Sequence, residues 1–274
     1  PPDKHLPLVS TIHDLAILKF AETAHPTVLA HHKQAWDVLQ KKRAHIIAVS
    51  HSTKKDIIEL LQIPASRITV IHEAIPRETI QTAESLSETE YEDIKKQLEL
   101  DRPFILAVGT REPRKNLKKL ISAWKPLSKD VDLIIAGEKG WDVTESLNIP
   151  QLRLLGKVSN EVLSVLYAEA ELLAYPSLDE GFGLPILEAF YHGTPVVTSN
   201  RSSMPEVAGN AAELVNPDSV TTIRKGLTTI LQESETEQKK RLQRMIIRLQ
   251  AFSWRKVALE TRKVYETAIR EQYD

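Results

Sequence analysis

Short apolar runs and longer amphipathic stretches alternate along almost the whole chain. The runs at 6–12, 45–49, 68–72, 104–108, 133–136, 152–155, 172–175, 195–198 and 213–215 are rich in Val, Ile and Leu. Most lack the polar alternation of a half-exposed strand, which predicts parallel strands buried on both faces. Between them, 116–127, 160–170 and 185–192 carry helical patterns. Repeated βα units of this kind predict an α/β fold of doubly wound parallel sheets.

The alternation breaks between Ile75 and about Tyr91, where the chain is polar and without strand pattern; it reads as a linker. Three strands precede the break and six follow it. The expected domains are therefore 1–78, 79–253 and a terminal helix over 254–274, whose apolar positions include Val257, Val264, Ala268 and Ile269. A nucleotide-binding domain of doubly wound type is normally built from about six strands, so the first domain is expected to be incomplete. Its three strands would expose an edge and one apolar face unless the terminal helix packs back on them.

Composition narrows the chemistry. The 274 residues include 36 basic and 37 acidic side chains, so no uniform field draws in nucleic acid, and no nucleic-acid partner is expected. There is no cysteine, which removes disulfides, thiolate catalysis and cysteine–zinc sites. No apolar run approaches the roughly 20 residues that span a bilayer. The start, Pro1-Pro2-Asp3-Lys4-His5, lacks the apolar core of a secretory signal. The expected location is the cytoplasm, with peripheral attachment at the inner face of the membrane as the alternative.

Two strand-to-helix junctions carry the candidate chemistry. After the run 172–175 comes Asp179-Glu180-Gly181-Phe182-Gly183-Leu184-Pro185-Ile186-Leu187-Glu188-Ala189. It lies at the carboxyl edge of a parallel sheet, where such folds bind ligands. Pro185 suits a first helical turn, and the amides of Gly181–Gly183 then form an anion site at a helix N-terminus. Glu180 and Glu188 flank that start, and an ionised carboxylate accepts the two hydrogen bonds that a vicinal diol donates. The second junction, Gly109-Thr110-Arg111-Glu112-Pro113-Arg114-Lys115-Asn116, follows the run 104–108. Arg114 and Lys115 are cations at a helix start, where they oppose the helix dipole, so an anionic partner such as a diphosphate accounts for them. Asp130-Val131-Asp132 has the form of a metal motif but precedes its strand, on the amino edge, and reads as a turn. His25, His31 and His32 lack a spacing that gathers three metal ligands.

The segment 175–218 contains Glu180-Gly181-Phe182-Gly183-Leu184-Pro185-Ile186-Leu187-Glu188, His192-Gly193-Thr194-Pro195-Val196-Val197 and Met204-Pro205-Glu206-Val207-Ala208-Gly209. With two glutamates separated by seven residues, it resembles glycosyltransferase family 4. The resemblance implies the GT-B fold of two Rossmann-like domains, here with the N-terminal one incomplete. It implies that Glu180 holds hydroxyls of the donor sugar and Glu188 the nucleotide ribose. The amides of Gly181, Phe182, Gly183 and Leu184 would contact sugar and phosphate. The junction at Gly109 resembles the form found in mannosyltransferases of the family. Many relatives carry an arginine where Thr110 stands, so Lys115 leads as phosphate ligand, with Arg114 second. The loop Gly137-Glu138-Lys139-Gly140-Trp141 would line the site, and the backbone at Val158, in Gly156-Lys157-Val158-Ser159, would contact the base; Ser159 also suits a helix N-cap. His13, at the carboxyl end of the first run, would stand at the catalytic centre, facing the donor across the cleft.

The resemblance implies a retaining hexosyltransferase; with its first domain incomplete, this chain is expected to bind donor but to transfer sugar poorly or not at all. Lys115, Arg114 and helix-start amides would stabilise charge on the leaving diphosphate, so no metal is expected. The resemblance favours GDP-mannose as donor, with UDP-glucose or another UDP-hexose next, and a glycan or lipid-linked glycan as acceptor. The alternatives are a nucleotide-sugar-binding module without transfer activity and an α-glucan synthase of glycogen or starch type.

Overall fold

A computed structural model describes residues 6–21, 25–140 and 149–273. Residues 1–5 and Trp141 of the expected site-lining loop lie outside the described residues. Among the described residues, nine strands form two wholly parallel sheets. The chain divides into two compact units. One holds the chain up to Ala74 together with Glu180–Phe182 and Phe252 onward; the other holds Ile75–Asp179 and Gly183–Ala251.

The smaller unit runs β1 (Val9–Ile12), α1 (Ala16–Lys19), α2 (Pro26–Lys41), β2 (His45–Ala48), α3 (His51–Leu61) and β3 (Ile68–Val70), with strand order β1-β2-β3. The first strand is shorter than the apolar run 6–12; Pro7 has no amide proton to give to a ladder. One face of the sheet packs Ile46, Ala48 and Ile68 with Trp36 of α2 and Ile57 of α3. The opposite face packs Ile47, Ile71 and Val9 against Val257 and Val264 of a long terminal helix. The alternation of Ile46 and Ile47 between the two clusters is the period-2 geometry of a strand.

The larger unit begins with a correction. The polar stretch after Ile75 is two helices, α4 (Arg77–Ser85) and α5 (Glu88–Gln97), rather than an irregular linker. Ser87 and Glu90 form a capping box: the Ser87 hydroxyl accepts from the Glu90 amide at 3.3 Å, and the Glu90 carboxylate accepts from the Ser87 amide at 3.0 Å. The polarity of α5 is that of a surface helix tied down at one edge, where Tyr91 donates to the Glu169 carboxylate at 2.5 Å and Lys95 pairs with it at 3.0 Å.

Six strands follow: β4 (Phe104–Val108), β5 (Asp132–Ala136), β6 (Leu152–Gly156), β7 (Leu172–Tyr175), β8 (Val196–Ser199) and β9 (Glu213–Val215). Their helices are α6 (Leu117–Trp124), α7 (Asn160–Glu169), α8 (Leu184–Tyr191), α9 (Met204–Ala208), α10 (Val220–Leu231) and α11 (Glu235–Leu249). The terminal helix of the smaller unit is α12 (Trp254–Tyr273). The strand order β6-β5-β4-β7-β8-β9 is two βαβαβ halves wound outwards from the centre, and its topological switch point lies between β4 and β7. Ile105, Leu133, Leu172 and Val197 pack on one face against Trp124 of α6 and Leu227 of α10. Leu106, Ile134 and Leu173 point to the other face and are equally buried, where α7 and α8 pack on β4 and β7. Asp132 opens β5 at its amino end and binds the Arg102 guanidinium at 2.9 Å, a structural contact far along the strand from the carboxyl edge.

Candidate functional site

In the larger unit Gly109, Lys115 and the start of α8 lie at the carboxyl ends of β4 and β7, which flank the switch point, while Val158 follows the edge strand β6. Gly109 follows β4 with φ +129°, a conformation suited to glycine, and the Lys115 side chain lies directly over it: a Cβ there would meet Lys115 Cε at 3.0 Å. Lys115 Nζ donates to the hydroxyl of Tyr175, the last residue of β7, at 3.1 Å and stands 5.0 Å from its ring centroid. The cation thus joins the carboxyl ends of the two central strands.

The turn that carries it is stitched into the sheet. Pro113–Lys115 form a single 3₁₀ turn, and Asn116 adopts the left-handed conformation with φ +60°. The Asn116 amide group donates to the carbonyls of Pro176 and Pro217 at 3.0 and 2.8 Å. The helix itself starts at Leu117, one residue later than the apolar pattern suggests. Arg114 donates to the Asp179 carbonyl at 2.8 Å and pairs with the Glu112 carboxylate at 2.6 Å. Much of its charge is therefore balanced locally, and it braces the loop before Glu180.

Adjacent strand ends approach one another through glycine. A Cβ on Gly137 would lie 2.0 Å from the Gly109 carbonyl oxygen, and one on Gly140 would lie 2.3 Å from that of Arg111. The Gly137 amide donates to the Gly156 carbonyl at 2.7 Å. Val158, partly buried, sits in the loop after Gly156, and Ser159 caps α7 by accepting from the Val162 amide at 3.3 Å.

At the start of α8, Gly183 takes φ +110° as N-cap and Pro185 occupies the first turn. Leu184 opens the helix, and Glu188 lies one turn further on. The Glu188 carboxylate accepts from the Tyr167 hydroxyl at 2.9 Å and lies 3.4 Å from that of Thr79. Burial pushes its carboxyl above the usual range, against the opposing effect of those two hydroxyls. Neither Tyr167 nor Thr79 was among the residues that sequence patterns single out. Tyr167 is embedded in the apolar face of α7, and Thr79 lies in the stretch that reads as a linker.

In the smaller unit, His13 follows β1 and its Nδ1 lies 3.0 Å from the carboxylate of Glu73, which follows β3. That partner, chiefly through the hydrogen bond, raises the imidazole above its ordinary value. The segment Glu180–Phe182 belongs to this unit. Glu180 is buried, and the Gly181 carbonyl accepts from the hydroxyls of Ser50 at 2.6 Å and Thr53 at 3.0 Å. A Cβ on Gly181 would lie 1.9 Å from the His13 carbonyl oxygen, so a side chain is excluded there. Phe182 packs against His72 and Phe252 at centroid distances of 5.9 and 5.6 Å.

Comparison with known proteins decides the family. The profile of glycosyl transferases group 1 matches residues 89–246, and that of Glycosyltransferase Family 4 matches residues 2–79. The chain belongs to the group 1 glycosyl transferases. Among relatives of this family, it is 33% identical over 276 residues to O-antigen chain mannosyltransferase B of Escherichia coli, covering 94% of this chain and 70% of that protein. It is 32% identical over 185 residues to O-antigen chain mannosyltransferase RfbU of Salmonella typhimurium, covering 65% of this chain and 48% of that one. The structure of HepE from Anabaena, solved in complex with UDP and glucose, superposes with a TM-score of 0.75 at 20% identity over 95% of this chain and 71% of that one. This glycosyltransferase therefore shares the GT-B fold, with Rossmann-like domains.

Proposed function

We propose that this glycosyltransferase transfers mannose from GDP-mannose to a glycan or lipid-linked glycan, with retention at the anomeric carbon. The observation that carries the reading is Lys115, seated over Gly109 and bonded to Tyr175 at the switch point of a six-stranded parallel sheet. Ligands of such sheets bind at that place, and a fixed ammonium beside helix-start amides fits a diphosphate. Two mannosyltransferases among the relatives support the sugar. Glu188 would accept the ribose hydroxyls and Glu180 those of the sugar. His13, with its Glu73 partner, would serve the reacting centre.

Catalysis on this reading is electrostatic: Lys115 and the amides of Gly183 and Leu184 stabilise charge that grows on the departing diphosphate, without a metal. Arg114 contributes mainly by holding the loop of Asp179. Among the described residues no helix is long and apolar enough to cross a membrane. Cytoplasmic placement, with a peripheral contact at the membrane where a lipid-linked acceptor resides, goes with the proposal.

The test is a thermal-shift and calorimetry series with GDP-mannose, UDP-glucose, GDP and UDP, each with and without chelator. A donor that binds only the folded state raises its stability, by about 2.7 kcal/mol at a hundredfold excess over Kd. Stabilisation by GDP-mannose, unchanged by chelator, is the expected result. Preference for UDP-glucose would reassign the donor, and loss of binding on chelation would overturn the metal-free mechanism.

A further inference from the structure

The carboxylate of Glu188 is held from behind by a set of side chains to which no role has been assigned. Its Oε2 accepts from Tyr167 at 2.9 Å and its Oε1 faces the Thr79 hydroxyl at 3.4 Å. An ionised carboxylate offers about four acceptor positions, two on each oxygen. One on each oxygen is thus directed at the protein, and one on each remains for a ligand. That remainder matches two neighbouring hydroxyls.

Tyr167 is itself fixed. It is buried, with 1% of its surface exposed, and its ring stacks on His192 at 5.4 Å with 19° between the planes. His192 Nδ1 lies 2.8 Å from the Glu188 backbone carbonyl, which can only accept, so Nδ1 carries the proton. Nε2 then accepts from the Ser164 hydroxyl at 2.9 Å, and burial favours this neutral imidazole. The Thr194 hydroxyl donates to the Tyr167 carbonyl at 2.5 Å. Residues of α7, of α8 and of the loop before β8 thereby lock one phenol against one carboxylate. A tyrosine needed only to fill space at this point could be phenylalanine; among the described residues, its hydroxyl bonds to Glu188.

We propose that Tyr167 is a positioning residue for nucleotide recognition, with Thr79 as its counterpart on the other oxygen. Together they orient Glu188 to read both ribose hydroxyls and so favour ribonucleotides over deoxyribonucleotides. The proposal rests on the reading that Glu188 receives the donor ribose.

The test is calorimetry on the full chain with GDP and 2′-deoxy-GDP, repeated with UDP and 2′-deoxy-UDP. The unmodified protein is expected to bind the ribonucleotide about tenfold or more tighter than its 2′-deoxy form, the effect of one hydrogen bond to a charged group. In Tyr167→Phe that gap narrows to within about threefold, while binding of the deoxynucleotide changes little. Thr79→Val narrows the gap less, and Thr79→Ser, which keeps the hydroxyl, restores it. A general weakening that lowers both affinities equally, or an unchanged gap in Tyr167→Phe, overturns the proposal. Should Tyr167→Phe fail to fold, the Thr79→Val and Thr79→Ser pair decides the same question. Glu188→Gln separates the two levels. If it abolishes the gap while Tyr167→Phe leaves it intact, the ribose reading stands and the positioning role falls. If Glu188→Gln binds both nucleotides as the unmodified protein does, the ribose reading falls, and the proposal with it.

Discussion

The two sheets are made by the same βα rule, yet their faces are covered in different ways. In the six-stranded sheet the central strands β4, β5 and β7 are buried nearly residue by residue, and helices cover both faces. In the three-stranded sheet β1 and β3 are only partly buried, and one face depends on α12, which enters from the far end of the chain. A parallel sheet needs both faces covered, because its crossovers lay helices on each side. The larger unit supplies its cover from its own crossovers, whereas the smaller one borrows a helix. The candidate chemistry nevertheless follows one rule in both. Lys115, Tyr175 and the start of α8 stand at the carboxyl ends of β4 and β7, and His13 and Glu73 at those of β1 and β3.

The largest effects should come from the cores. Trp124 is fully buried in the larger unit and its indole donates to the Val131 carbonyl at 2.8 Å, so Trp124→Ala should cost about 3–5 kcal/mol. Val264→Ala removes contact between α12 and the smaller sheet and should cost only about 1.5 kcal/mol, at roughly 0.8 kcal/mol per buried methylene. Denaturant titrations of both variants check the contrast. A Val264 loss equal to that of Trp124 would mean that the borrowed helix is as central to its unit as the six-stranded core is to its own.

Glycine positions sharpen the contrast within the larger sheet. Gly137→Ala would place a methyl 2.0 Å from a backbone carbonyl oxygen, while Gly156→Ala meets nothing within 4 Å and bears only the strain of φ +71°. The second should cost about 1–2 kcal/mol, and the first more, with loss of nucleotide binding as the Gly109 turn is displaced. Equal losses in thermal unfolding would show that close approach of the strand ends is unimportant.

The strands and the Gly109 and Gly183 turns were legible because apolar runs without alternation, followed by glycine, have few other structural meanings. The helices over 77–97 were not, since their apolar positions are few, Ile80 and Ala83 in α4 and Tyr91 and Ile94 in α5, and are scattered in polar sequence. Ser87 and Glu90 held the signal, a serine followed three residues later by a glutamate, in a segment whose polarity suggested a linker. Within the site, Lys115 and Glu188 stood out as charges at strand-to-helix junctions. Tyr167, Thr79 and Glu73 did not, because their partners lie 21, 109 and 60 positions away in the chain, and only the folded topology brings them together. Arg114 also makes bonds that its position does not announce, to Glu112 and the Asp179 carbonyl, which brace the loop.

The glutamates of the two units should separate by function. Glu188→Gln should weaken nucleotide binding by about 1.5–3 kcal/mol, whereas Glu180→Gln should leave free nucleotide nearly unaffected and reduce the added affinity of the nucleotide sugar. Acidity offers a second view of Glu188. Burial raises its carboxyl, and ribose hydroxyls donate best to the ionised form, so affinity should fall on acidification at a higher pH than an exposed glutamate would give. Calorimetry across pH checks both statements, and an identical pH profile in Glu188→Gln would assign the titration to another group.

The smallest effect belongs to His13 and Glu73. The hydrogen bond between them raises the imidazole above 6.5, burial opposes the rise, and the charges of Glu73 and Asp14 add to it. A histidine raised in the folded state binds its proton more tightly there than in the unfolded chain. Its contribution to stability is therefore fully present below the unfolded value and disappears as pH rises through the folded one. The side chain of His13 is 68% exposed, so solvent screens the pair and the contribution stays within the range of surface ion pairs, about 0–1 kcal/mol. The stability difference between the unmodified chain and His13→Gln should be greatest below the ordinary imidazole value of about 6.5 and vanish once pH has risen through the raised one, because the imidazole is then neutral in both states. Glu73→Gln should remove the same increment, and combining the two substitutions should add little, since neither partner contributes it alone. A stability difference that grows with pH would contradict the sign of the coupling. It would place the importance of His13 in its neutral form, as expected of a group that accepts a proton or a hydrogen bond at the reacting centre.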